Sequence, residues 1–184
     1  PSTVPLPGLL VLWLWHHDRV RFWPRLPLTI PFFVLGLASA AWTVWEQRFH
    51  SNAQGPEWDQ SFADRLVVCG RAVWFYLASI FVPGQNIFIY PRWNLPMLWQ
   101  DGILHTPMQP FLWLVGTLTA LVVLWRGRAG RVQNILLAAL AFLGLLFPVL
   151  GFFNIYFTRF SFVADHFAYL ASTVPIAATV AVLV

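Results

Sequence analysis

Residues 132–172 read VQNILLAALAFLGLLFPVLGFFNIYFTRFSFVADHFAYLAS. As far as Phe153 the run carries no charge, and it is as long as the ~20 residues a helix needs to cross a hydrocarbon layer of about 30 Å. From Tyr156 to Ser172 the apolar pattern is interrupted by Arg159, Asp165 and His166. A charge held at a bilayer centre costs at least ~2.5 kcal/mol. These three residues therefore belong at a boundary or in a polar cavity between helices. The stretch describes a membrane-length helix, a short polar connection, and a further apolar helix that begins at His166.

Composition extends this reading to the whole chain. Of its 184 residues 59% are hydrophobic, 17% aromatic and only 10% charged, with a mean hydropathy of +0.67, which excludes an ordinary soluble domain. The fold class that follows is all-α, a polytopic transmembrane helical bundle. The chain is basic, with a pI near 10.0. Its basic residues are all Arg, dispersed among Trp and Pro, which points to membrane lipid headgroups or phosphate as partners and away from nucleic acid. One cysteine, Cys69, excludes an internal disulfide and a Cys-based metal site, and its apolar neighbours suggest a small buried residue. Nothing calls for a cofactor. The lack of a start methionine and a final segment, TVPIAATVAVLV, that stops inside an apolar run are what a fragment of one transmembrane domain would show.

Along the chain, Val4–Trp15 reads as the tail of a helix, followed by the basic connection HHDRVRFWPR. Leu26–Trp45 has spanning length, with Pro27 and Pro31 in its first turns, where proline is tolerated. Glu46–Asp64 is a polar, water-facing loop. Arg65–Val82 is ambiguous, because Arg71 lies near its middle and Gly70 weakens it as a helix. After the polar stretch Gln85–Gln109 come the spans Pro110–Trp125 and Val132–Phe153, separated by RGRAGR.

The two connections richest in Arg, His16–Arg25 and Arg126–Arg131, are expected on the cytoplasmic side. Leu26–Trp45 and Pro110–Trp125 already supply the even number of crossings between them. Arg65–Val82 is then expected to lie along the interface or to re-enter, the alternative being a full span paired with a hidden crossing in Gln85–Gln109. In this orientation Glu57, Asp59, Arg92, Arg159, Asp165 and His166 share the opposite side.

Each candidate site residue has two readings. Asp165 either caps and stabilises a helix N-terminus or, with His166 and Tyr169, forms a polar face able to orient a phosphate or hydroxyl. No second ligand stands at metal-binding spacing from this pair. Arg159 and Arg92, the latter in IYPRW, either clamp a phosphate or anchor the chain at the interface, and Arg71 favours the anchor. Glu57, Asp59 and Asp64 suit acid–base chemistry or simply a hydrated loop. His16, His17, His50 and His105 form no triad or zinc signature.

The blocks RLVVCGRAVWFYLASIFVPGQNIFIYPRW and GFFNIYFTRFSFVADHFAYLAS resemble a bacterial family of polytopic membrane proteins that often carry tetratricopeptide repeats. That family in turn resembles the C-type glycosyltransferases, the class of the protein O-mannosyltransferases. The resemblance runs from about Ile30 to Thr173. It implies transfer of a sugar from a polyprenyl-phosphate donor to a protein or glycan acceptor, on the periplasmic face of the bacterial inner membrane. It also implies a catalytic acid in an external loop preceding Pro1 and a repeat domain beyond the chain. Within DHFAYLAS, Asp165, Tyr169 and Ser172 match the mannosyltransferase pattern, whereas Ala168 and Ala171 stand where Arg and Pro are expected. The competing readings are a non-catalytic membrane scaffold for the repeat domain and, with least support, a transporter, since the spans carry no charge at mid-depth.

Overall fold

The computed structural model describes residues 4–18, 20–82, 84, 87–95, 109–127 and 130–183. The sequence readings at residues 96–108, His105 among them, and at Arg128 fall outside these. Among the described residues the fold is all-helical. Helix α1 is Leu6–His17, α2 Phe22–Arg25, α3 Ile30–Phe49, α4 Phe62–Phe81, α5 Gln109–Gly127, α6 Arg131–Leu146 and α7 Asp165–Leu183.

Three helical stretches, Phe22–Phe49, Gln109–Arg126 and Val132–Val149, are long and apolar enough to cross a membrane. They coincide with the three spans expected from the sequence. The first joins α2 to α3 through a 3₁₀ turn at Leu26–Thr29. Pro24, Pro27 and Pro31 remove successive backbone donors there, and the tighter turn accommodates the missing α-helical bonds. The third ends in a 3₁₀ turn, Phe147–Val149, before Gly151 turns the chain with φ +91°. A Cβ at Gly151 would also stand 2.8 Å from Val68 Cγ1, so glycine is required there for both conformation and space.

α6 and α7 pack along one another, α5 bridges α4 and α6, and α1 lies against α3 and α6. The core joins Val73 and Tyr76 of α4, Phe142 and Leu146 of α6, and Ala171 of α7.

α4 packs into the bundle. Its middle, Val67 to Val73, is almost entirely buried apart from Arg71. Gly70 serves this packing directly, because the backbone of Phe111 on α5 occupies the space a side chain would need. Phe81 lines an apolar cavity with Pro175 and Ala178, about three turns into α7, whereas Phe88 stacks on His166 at its start. Tyr90 Oη donates to Asp165 Oδ1 at 3.0 Å. Among the described residues, Phe88 and Tyr90 therefore lie at the same end of the bundle as the start of α4.

The contacts also sort the connections. Trp15 meets Trp125 edge to face at 5.4 Å, and Gln133 Nε2 lies 3.2 Å from His16 Nδ1, so the two Arg-rich connections share one end. The loop after α3, the start of α4 and the α6–α7 connection share the other, where Gln47 Oε1 accepts the Tyr156 N–H at 2.7 Å.

Candidate functional site

The polar end is organised by a residue that sequence reading left aside. Arg65, on the first turn of α4, donates through Nη1 to the carbonyls of Gly151 and Phe152 at 2.8 and 3.0 Å. Its Nη2 donates to Trp58 O and Asn154 Oδ1 at 3.1 and 2.9 Å. A planar guanidinium suits this task because its donors fan out in fixed directions. Trp58, buried, donates through Nε1 to Ile155 O at 3.0 Å and completes the tie between residues 50–61 and the α6–α7 connection.

Asp64 has a structural role. Ser61 Oγ accepts the Asp64 N–H, while Asp64 Oδ2 accepts from Ser61 N–H and Oγ–H, a reciprocal capping box at the start of α4. Asp59 is exposed, and Glu57, half-buried, lines the cleft with it.

Two of the expected phosphate-binding residues come together. Arg159 Nε lies 2.8 Å from Glu57 Oε2, and Arg92 Nη2 donates to the Glu57 carbonyl oxygen at 2.6 Å. The Arg92 guanidinium lies over the Phe162 ring, 4.9 Å from its centroid. Glu57, Arg92 and Phe162 line an open cleft of about 550 Å³. Arg71 stacks over Trp93 at 5.4 Å, so its anchor is an aromatic ring of the returning segment.

The remaining candidates lie apart from this pair. Asp165 sits in the first turn of α7, where a carboxylate complements the helix dipole, and its oxygens accept the Tyr90 hydroxyl. Burial raises the Tyr90 pKa and the Asp165 contact adds to that rise, against a backbone contact at Ile87 that lowers it. His166 is held among the rings of Phe88, Phe157 and Phe167. Tyr169 is 71% exposed, and its side chain makes no hydrogen bond or ring contact among the described residues. The expected single polar face thus divides into an Arg–Glu cluster, a Tyr–Asp contact and an aromatic nest around a histidine.

A larger cleft, of about 820 Å³, lies on the other side of the Pro56–Gln60 turn. Pro56, Asp59 and Gln60 line both clefts. Sequence reading missed this second cleft because its walls come from α3, the 50–61 loop and the α6–α7 connection. The signal available was a Trp and an Arg within a few residues of a helix start, Trp58 and Arg65. Among the described residues no group of three or more His, Cys, Asp or Glu is placed to hold a metal ion.

Comparison with known proteins finds no family model, curated protein or solved structure that matches this chain.

Proposed function

We propose that the chain is part of a membrane-embedded transferase that uses a polyprenyl-phosphate-linked sugar, with Arg92 and Arg159, which meet at Glu57, receiving the donor phosphate. The observation that carries this reading is the convergence of Arg92 and Arg159 on Glu57, at the bundle end away from the Arg-rich connections. The Arg159 side chain is 47% exposed while its Nε pairs with Glu57. In this reading the two cations balance charge on the phosphate as it leaves with the electron pair of the broken C–O bond. The carboxylate that, as base, takes the proton of the acceptor hydroxyl is assigned to no residue of this chain. The polar end faces the periplasm, and the Arg-rich end faces the cytoplasm.

A scaffold function is the second reading, and the complete engagement of Arg65 with protein acceptors favours it. In that case the polar end is a structural clasp beneath a protein-interaction domain.

The two readings part in one experiment. The full-length protein in lipid nanodiscs is examined by native mass spectrometry for retention of polyprenyl monophosphate against the uncharged polyprenol. Transfer of radiolabelled sugar from a polyprenyl-phosphate donor is followed in parallel. The transferase reading expects phosphate-selective retention and transfer, both lost in Arg159→Ala while the protein level holds. Equal retention of the two lipids, unaffected by Arg159→Ala, overturns it in favour of the scaffold.

A further inference from the structure

The larger cleft has a chemistry of its own. Gln54 Nε2 donates one of its two N–H groups to the Arg48 carbonyl at 2.9 Å, and its oxygen is an acceptor. Asn154 Oδ1 accepts from Arg65, which leaves its NH₂ group as a donor. The carboxylate of Asp59 adds acceptors, and the Arg48 guanidinium adds donors. Phe153, 44% exposed, supplies an apolar face beside them, and Trp58 with Arg65 holds the wall in place.

The geometry points to a binding site for a neutral sugar ring in this cleft. A hydroxyl both donates and accepts, so a ring carrying several hydroxyls matches a wall that presents fixed donors and fixed acceptors side by side. The C–H face of such a ring packs on an aromatic side chain. A phosphate presents acceptors alone and leaves the acceptors of this wall without donors. Arg65 is already engaged by four acceptors. Because Pro56, Asp59 and Gln60 form the wall common to both clefts, a sugar held in one stands beside a phosphate held in the other. That the bound sugar serves as acceptor rests on the transferase reading; that it binds does not.

The test is saturation-transfer NMR on the full-length protein in nanodiscs, with methyl α-mannoside, methyl β-glucoside and N-acetylglucosamine as probes. Empty nanodiscs serve as the blank. At least one probe is expected to receive saturation at its ring protons, and the signal is expected to fall roughly 5-fold in Asp59→Asn and in Gln54→Ala, about one hydrogen bond each. The same signal is expected to persist in Arg159→Ala, which separates this site from the phosphate cleft. An unchanged melting temperature in Asp59→Asn keeps a loss of binding from being a loss of fold. No signal above the blank from any probe, a signal indifferent to both cleft variants, or displacement of the sugar by inorganic phosphate overturns the proposal.

Discussion

The backbone of Gly70 on α4 lies directly against that of Phe111 on α5: a Cβ added to Gly70 would stand 2.5 Å from the Phe111 nitrogen and 2.7 Å from its Cα. Backbone cannot rotate aside as a flexible side chain can, so the two helices meet at this closeness only because residue 70 is glycine. Gly70→Ala should lower stability by about 1–3 kcal/mol, the range for overpacking. Gly116→Ala, where nothing lies within 4 Å, should be neutral or slightly stabilising. Thermal melts of the two purified variants measure the contrast, and equal melting temperatures would show that α5 shifts freely.

Arg65 should behave as a structural residue. Arg65→Ala removes four hydrogen bonds and leaves the Gly151, Phe152 and Trp58 carbonyls without this donor, which predicts a loss of about 2–4 kcal/mol. Arg65→Lys should recover only part of it, because an ammonium cannot reproduce the planar fork. Limited proteolysis within residues 50–61 reports the loosening, expected in both variants and stronger in the alanine.

The Arg159–Glu57 pair should contribute little to stability. Both side chains are close to half exposed, at 47% and 40%, and exposed ion pairs are worth about 0.2–1 kcal/mol. A double-mutant cycle with Arg159→Ala and Glu57→Ala should give a coupling within that range. Any large fall in sugar transfer in Arg159→Ala then belongs to the chemistry, and a coupling above about 2 kcal/mol would return Arg159 to a structural role.

Tyr90 and Asp165 give a pH prediction with a definite sign. The folded Tyr90 pKa lies above the ordinary tyrosine value of about 10, through burial first and then the Asp165 contact. A group with a raised pKa contributes its full stability below the unfolded value and loses it as pH rises through the folded one. Tyr90→Phe should therefore reduce stability by a constant amount from pH 6 to 9, and its difference from wild type should close only in strong alkali. A difference that varies across neutral pH would contradict the assignment.

The placing of Phe88 and Tyr90 at the end where α4 starts predicts a labelling pattern. In a Cys69→Ala background, single cysteines replacing Glu57, Phe88 and Arg159 should react with a membrane-impermeant thiol reagent from one side. A cysteine replacing Arg21 should react from the other. Labelling at Phe88 from the Arg21 side would show that α4 crosses the membrane fully. Labelling of the Glu57 and Arg159 positions from the cytoplasm would invert the proposed orientation and remove the periplasmic transferase.

Much of the helical layout is local in origin. The spans near Leu26–Trp45, Pro110–Trp125 and Val132–Phe153 follow from uncharged length alone, and proline and glycine mark where they start and turn. Arg71 and Gly70 were the residues that blurred α4. A charge and a flexible residue argue against a membrane helix only if both face lipid, whereas Arg71 stacks on Trp93 and Gly70 receives another backbone. Both partners lie far along the chain from the helix turn they contact, and no pattern within α4 announces them. Asp64 shows the opposite case, since its capping partner Ser61 is three residues away and the S-x-x-D spacing was open to reading.

The sequence by itself determined that the described residues are all-helical with three membrane-length helices among them, that the Arg-rich turns are separate from the acidic loops, and that the single cysteine is buried. Those properties depend on hydropathy, helix period and charge, which are summed over neighbouring residues. Only the tertiary structure decided that Arg92 and Arg159 share Glu57 while Asp165 and His166 do not, and that Arg65 holds the loops between which two clefts open. These are matters of direction and contact between distant segments. They are set by which backbone carbonyls need a donor once the helices have packed, and that need arises only when the chain is folded.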